Sequence, residues 1–164
     1  MACNPTIRPF DPGVLPALQR IRRAAFEPVF RSFREIVGAE IATVAFAHAD
    51  SEQAKFLDDI CADGSGHHVM VVMLGEDIVG FVSFTIHADM RIGEIGLNAV
   101  HPDHAGQGIG TWMYGRVLTH MKDLGAVLAT VSTGGDPSHA PARRAYEKAG
   151  FGPAIPSVAL YRLL

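Results

Sequence analysis

The chain has 164 residues and a formal net charge of −3 at pH 7, with 48% hydrophobic and 19% charged residues. This composition is typical of one ordinary globular domain, here over residues 1–164, and excludes a mainly disordered chain. The sequence has no basic arm and no stretch of about 20 apolar residues. We therefore expect neither a nucleic-acid partner nor insertion into a membrane.

The N-terminal residues and the cysteines indicate the compartment. The first ten residues lack the unbroken apolar core of a secretory signal. Cys3 and Cys61 form neither a disulfide framework nor a metal-ligand spacing, and the cluster His101-Pro102-Asp103-His104 lacks a third ligand. These features predict a cytoplasmic protein without a metal site.

Apolar residues at helical spacing dominate the first 61 residues. We predict a short strand at residues 6–8 and helices at about 14–26, 27–47 and 51–61, the last with Ser51 as its N-cap. Phe26, Phe30 and Phe33 share one face of the second helical segment. They are either core residues or the lining of a substrate pocket, and the sequence leaves both interpretations open.

The pattern becomes extended from residue 67 onward. Strands are predicted at residues 68–74, 78–86 and 91–100, and their short connections favour three consecutive antiparallel strands. A helix at 109–124 and a strand at 126–133, parallel to the strand before the helix, follow. Another helix is expected to begin near Ser138 rather than at Asp136, because Pro141 is tolerated only in the first turn. It ends at Gly150, and residues 158–163 form a closing strand.

A glycine-rich turn joins the third of these strands to the long helix. Its sequence is Gly106-Gln107-Gly108-Ile109-Gly110. Three glycines allow positive φ angles and a close approach of the backbone to a ligand, and the free N–H groups of the first helical turn attract anions such as pyrophosphate. The alternative is a merely flexible turn. The spacing fits neither the dinucleotide-binding fingerprint nor a Walker loop.

Three motifs in this order resemble the GCN5-related N-acetyltransferase (GNAT) family. They are Val100-His101-Pro102, the glycine turn, and the run from Ala142 through Tyr146-Glu147-Lys148 to Gly150-Phe151. The resemblance implies an α/β (α+β) fold with a mixed, mostly antiparallel sheet, flanked by helices and splayed between its fourth and fifth strands. Acyl-coenzyme A is expected in the opening, with no metal. The implied cofactor-binding residues are Leu97, Asn98, Ala99, Val100, Ala105, Gly106, Gln107, Gly108, Ile109, Gly110, Thr111, His139 and Tyr146.

The resemblance also implies two catalytic residues. Tyr146 is expected to protonate the departing thiolate, and packing is its alternative role. Glu94 is expected to act as a general base, directly or through water, and an exposed strand carboxylate is its alternative reading. His139 stands where the family often has asparagine.

Together these features predict an N-acetyltransferase that moves an acetyl group from acetyl-CoA to a primary amine by direct transfer. The acceptor is a small molecule or peptide, with Phe26, Phe30 and Phe33 as candidate substrate-binding residues. A homodimer is possible by analogy with the family. Two alternatives remain: a catalytically silent acyl-CoA-binding or sensing module, and a different nucleotide-binding fold at which NAD or ATP would compete.

Overall fold

A computed structural model describes residues 4–164 of the chain as a five-stranded sheet with helices on both faces. The strands lie in sequence order and are β1 (Pro5–Pro9), β2 (His68–Leu74), β3 (Asp77–His87), β4 (Ile92–Val100) and β5 (Leu128–Val131). The first four pair antiparallel, and β5 lies parallel to β4. The predicted mixed, mostly antiparallel sheet is confirmed.

Five α-helices flank this sheet. They are α1 (Leu15–Val37), α2 (Ala39–Ala45), α3 (Ala49–Cys61), α4 (Ile109–Asp123) and α5 (Ala140–Lys148). Side chains of α1 and α3 form one core layer with the sheet, and side chains of α4 and α5 form the other. None of the helices in residues 4–164 is both long and apolar enough to cross a bilayer.

The predicted break between the first two helical segments is wrong. The chain continues as the single helix α1 through Pro28 and stops only before Gly38. Its apolar face continues beyond the proline, and packing of that face outweighs the roughly 3 kcal/mol that an interior proline costs a helix. The predicted cap is also wrong, because α3 begins at Ala49 and the Ser51 hydroxyl donates to the His48 carbonyl, 2.9 Å away.

Two corrections concern the C-terminal third. Asp136 caps a 3₁₀ turn (Pro137–His139), and α5 begins two residues later than predicted, with Pro141 in its first turn as expected. The predicted strand at 158–163 is absent, and residues 151–164 have no regular secondary structure. Alternating apolar residues form a strand only where a neighbouring strand offers backbone hydrogen-bond partners. None of residues 4–164 pairs with this segment in that way.

Candidate functional site

The sheet opens where β4 and β5 separate. Parallel pairing between them stops at Ile95 and Val131, and the remainder of β4 pairs with β3 alone. An irregularity in the β3–β4 register supports the opening: the Ser83 hydroxyl donates to the Leu97 carbonyl at 3.0 Å. A side chain at Gly96 would come within 2.9 Å of that hydroxyl, so only glycine fits there.

A cavity of 540 Å³ occupies this opening. It is bounded by β4, the glycine turn, the starts of α4 and α5, and the middle of α1. Its lining residues with polar or charged side chains are Asn98, His104, Thr111, Tyr114, Ser138, His139, Arg144 and Lys148. Arg144 and Lys148 give this cavity the positive charge that a phosphate-bearing ligand needs.

The glycine turn presents backbone donors to the cavity. Gly106 and Gly108 have φ angles of 75° and 78°, a region that side chains other than glycine rarely adopt. No side chain caps α4, and the N–H groups of residues 106–111 find no acceptor within residues 4–164. Six free donors at the positive end of a helix form a site for an anion.

Gly110 differs from the other two glycines. It lies in the first turn of α4 without a positive φ. A Cβ at this position would meet only Ala145 and Tyr114, each at 3.9 Å, and both residues line the cavity. Gly110 therefore keeps space open for a ligand.

Tyr146 is buried beneath the cavity wall, with 6% exposure. Its hydroxyl oxygen accepts a hydrogen bond from Asn98 Nδ2 at 3.0 Å, and the Tyr114 hydroxyl donates to Asn98 Oδ1 at 2.8 Å. The two tyrosine rings stack at 4.4 Å. Burial and the neighbouring Tyr146 raise the pKa of the Tyr114 hydroxyl far above its ordinary value, so Tyr114 stays a neutral donor.

Asn98 thus fixes the position of Tyr146. Within residues 4–164, the Tyr146 hydroxyl accepts a hydrogen bond from Asn98 and donates none, and Asn98 Oδ1 accepts from Tyr114 instead. The proton of the Tyr146 hydroxyl therefore has no acceptor there. A buried phenol with a fixed oxygen and an uncommitted proton is able to act as a proton donor.

A second polar cluster borders the cavity between β5 and α5. His139 Nδ1 lies 2.5 Å from Asp136 Oδ1, and these side chains are 17% and 12% exposed. The other carboxylate oxygen accepts from the Ser138 backbone N–H, the Ser138 hydroxyl and, at 3.2 Å, the Ser32 hydroxyl of α1. Burial favours a raised pKa for Asp136, but these hydrogen bonds from Ser138 and from His139 outweigh it and hold the pKa at about 2.

The predicted site residues fall into two groups, those that line the cavity and those that lie outside its lining. Those that line the cavity are Phe26, Asn98, Ala99, Val100, Ala105, Gly106, Gly108, Ile109, Gly110, Thr111 and His139. Those outside the lining are Phe30, Phe33, Glu94, Leu97, Gln107 and Tyr146. Tyr146 nevertheless reaches the lining residue Asn98, and Phe33 stacks on His139 at 5.7 Å between ring centroids.

Glu94 lies on β4 with a side chain that is 52% exposed. His87 Nε2 lies 3.4 Å from its carboxylate. The proposed base therefore faces solvent in this structure, and its catalytic role stays a prediction.

Sequence reasoning missed several cavity residues. Tyr114 lies one helical turn beyond Gly110, so the helical period alone could have placed it beside the turn. Arg144 faces the cavity, whereas Arg143 donates to the carbonyls of Gly134 and Asp136 and holds the loop. No local pattern signals the contact between Ser32 and Asp136, because 104 residues separate them.

Comparisons with known proteins identify a family and a shared fold. The family model described as Acetyltransferase (GNAT) family matches residues 23–151. No curated protein sequence matches the chain. A solved GNAT-family protein from Desulfovibrio desulfuricans superposes with a TM-score of 0.70 at 19% identity, covering 93% of this chain and 87% of that chain.

Two further structures share the fold. The ribosomal-protein-S18-alanine N-acetyltransferase from Escherichia coli has a TM-score of 0.66 at 16% identity, with 93% of this chain and 80% of that chain covered. PaiA N-acetyltransferase from Thermoplasma acidophilum, solved with coenzyme A, has a TM-score of 0.68 at 17% identity, with 91% and 90% covered. With the family model matching most of its length, the chain belongs to the GNAT acetyltransferase family.

Proposed function

We propose that the protein is an N-acetyltransferase that moves an acetyl group from acetyl-CoA to a primary amine of a small molecule or peptide by direct transfer. One observation carries the proposal. The glycine turn with its six free N–H groups borders the opening in the sheet, and the Tyr146 hydroxyl is bonded to Asn98, which lines the same opening.

The described residues suit a coenzyme A thioester. The N–H groups of the glycine turn provide donors for a pyrophosphate, and Arg144 and Lys148 at the cavity wall add positive charge. Gly110 leaves room beside these donors. The bound thioester supplies an activated acetyl group and a thiolate leaving group.

The open edge of β4 provides a further donor. The His101 N–H donates to the Val79 carbonyl of β3 at 2.8 Å. Successive N–H groups of a strand point to opposite sides, so the N–H of Val100 faces the open edge. We assign this N–H to polarising the thioester carbonyl, as in an oxyanion hole.

Tyr146 has the geometry of the general acid. Asn98 donates to its oxygen, which stabilises negative charge there as the proton leaves. The stacked ring of Tyr114 and the edge of Phe151, 5.8 Å away, restrict the ring of Tyr146. These ring contacts fix the direction of the Tyr146 hydroxyl.

A titration of the purified protein with acetyl-CoA, coenzyme A and NAD tests the cofactor assignment. We expect both coenzyme A species to bind and to raise the melting temperature, and NAD to do neither. A screen of primary amines for acetyl transfer follows. Stabilisation by NAD instead of the coenzyme A species would contradict the proposal.

A catalytically silent acyl-CoA-binding or sensing module is the second candidate. It is favoured by the position of Glu94, which faces solvent away from the cavity residues instead of serving as a buried base. Binding of acetyl-CoA with no transfer to any amine of the screen would support this candidate over the enzyme.

A further inference from the structure

The Asp136–His139 pair is the most constrained polar cluster beside the cavity, and neither the glycine turn nor Tyr146 uses it. Asp136 accepts hydrogen bonds from Ser32 of α1 and from Ser138 and His139 of the 3₁₀ turn, so two distant parts of the chain hold its carboxylate. Arg143 anchors the same loop through two carbonyls, at 2.6 Å and 2.8 Å. A pair supported in this way keeps its orientation.

Gly134 shows how closely the pair is packed. A Cβ at this position would lie 2.5 Å from both Asp136 Oδ1 and His139 Nδ1. Such a distance is shorter than any ordinary contact, so a side chain at 134 would displace the pair. The backbone at Gly134 leaves space for the contact between Asp136 and His139 but not for a side chain at position 134.

The orientation of the imidazole follows from this contact. Asp136 holds Nδ1, and Phe33 covers one face of the ring at 5.7 Å. Nε2 makes no hydrogen bond with any residue of the described chain, 4–164, and His139 lines the cavity. A carboxylate that accepts from Nδ1–H leaves Nε2 as the basic nitrogen, because a neutral imidazole carries one proton.

His139 is the last residue of the 3₁₀ turn that leads into α5, and Tyr146 lies seven residues later, on that helix. At the rise of an α-helix, seven residues correspond to about 10 Å along the axis. His139 lines the cavity, and Tyr146 contacts the lining residue Asn98.

We infer that His139 is the general base that deprotonates the acceptor amine, with Asp136 as its positioning residue. This inference rests on the proposed acetyltransferase function. It replaces the cofactor contact that the resemblance implies for His139, and it differs from the role implied for Glu94, which lies outside the cavity lining.

The acceptor nitrogen loses two protons in the proposed reaction. His139 Nε2 takes one proton from the acceptor ammonium, and the freed lone pair forms the N–C bond while the C–S bond breaks. Tyr146 gives its proton to the leaving sulfur and recovers one from the acylated nitrogen. His139 then releases its proton to solvent, so one amide, one thiol and one proton result from each ammonium and thioester.

The other charged groups near His139 have partners of their own, are exposed, or lie farther along α5. Arg143 of α5 is bound to the Gly134 and Asp136 carbonyls. On α1, Arg31 pairs with Glu27, Arg34 donates to the Phe46 carbonyl, and Glu35 is exposed. Arg144 and Lys148 line the cavity farther along α5. Asp136 is therefore the charged group in contact with the imidazole.

The test compares His139→Gln, Glu94→Gln and, as an exposed-histidine control, His120→Gln in the full-length protein. Acetyl transfer to phenethylamine, spermidine and a peptide with a free N-terminal amine is measured against pH. We expect His139→Gln to lower kcat/KM at neutral pH about 100-fold and to remove the decline at acidic pH, with acetyl-CoA affinity unchanged. His120→Gln should keep the wild-type profile, and Glu94→Gln, the variant of the competing base, should retain the decline at acidic pH.

Three further readouts separate catalysis from structure. Added imidazole should restore part of the activity of His139→Ala. Asp136→Asn should weaken the preference for a proton on Nδ1, which NMR of the ring nitrogens detects without any acceptor. Melting temperatures of all variants identify any failure to fold.

The outcomes distinguish failure of the role of His139 from failure of the proposed function. A wild-type pH profile in His139→Gln, or loss of the acidic decline in Glu94→Gln instead, would overturn the role of His139 while leaving the proposed function intact. Absence of transfer by the wild-type protein to every amine, with or without acetyl-CoA binding, would overturn the proposed function and this inference with it.

Discussion

The two sides of the cavity are built differently. The cofactor side, named for the ligand that we propose for it, consists of residues 98–111, a continuous segment that offers backbone N–H groups and glycines. The opposite side joins α1 to the loop before α5 through side chains, as in the bond from Ser32 to Asp136 across 104 residues. Backbone donors tolerate many side chains around them, whereas a side-chain cluster depends on every member.

This difference predicts that the two sides respond separately to substitution. Changes at the glycine turn should alter cofactor affinity. Changes around Asp136 and His139 should alter transfer to the amine and leave cofactor affinity as it was. Tyr146 lies between the two sides and should affect chemistry alone.

The largest effect is expected for Tyr146→Phe. Loss of the hydroxyl removes the proton donor, so kcat should fall about 100-fold or more while the affinity for acetyl-CoA stays unchanged. Steady-state kinetics and calorimetric titration measure the two quantities. Tyr161→Phe, whose ring packs on Phe46 at 5.9 Å, is the matched control. Unchanged turnover in Tyr146→Phe would leave this tyrosine with a packing role only.

Asp136→Asn is expected to lower the free energy of unfolding by about 2 kcal/mol at neutral pH. Hydrogen bonds from Ser138 and His139 lower the pKa of the Asp136 carboxyl to about 2 against the opposing effect of burial. The ionised form therefore stabilises the folded state above the unfolded-state pKa of about 3.9, and this stabilisation is lost as pH falls from about 4 to about 2.

Urea unfolding at several pH values measures this loss. Asp103→Asn is the control, because its carboxylate is 83% exposed and lies 3.6 Å from His101 Nδ1 in a similar Asp–His pair. An exposed pair contributes at most about 1 kcal/mol. Equal effects of the two substitutions would mean that the buried pair contributes no more than a surface one.

Gly134→Ala tests the acceptor side. Its Cβ would displace the Asp136–His139 pair, so kcat/KM for the amine should fall about tenfold, equivalent to about 1.4 kcal/mol, with unchanged acetyl-CoA affinity. Gly135→Ala has open space around its Cβ and serves as the neighbouring control. A loss of cofactor affinity in Gly134→Ala would contradict the separation of the two sides.

Gly110→Ala tests the cofactor side with a smaller expected effect. The methyl group would enter the cavity beside Ala145 and Tyr114 and weaken acetyl-CoA binding about fivefold, or about 1 kcal/mol. Gly115→Ala on the same helix places its methyl group in open space. Both substitutions should raise the melting temperature, since alanine favours a helix over glycine by up to about 1 kcal/mol. Equal binding by the two variants would show that Gly110 does not border the ligand.

The sequence by itself determined the glycine turn and most of the sheet. Strand alternation placed β2, β3 and β4, and the glycine turn before an amphipathic helix placed the free N–H groups, because these features depend on neighbours a few residues apart. The Tyr-Glu-Lys ending of the last helix likewise indicated Tyr146. In that turn Gly106 and Gly108 take the positive φ angles that its glycines allow, and Gly110 does not.

The tertiary structure alone decided the rest. Continuation of α1 through Pro28 and the absence of a strand at 158–163 depend on which surfaces are available for packing and pairing. The solvent-facing position of Glu94 and the joining of Ser32, Phe33 and Asp136 around His139 depend on contacts across the fold. Local periodicity carries no information about such contacts, because it specifies a residue's face on its own element and not the element packed against it.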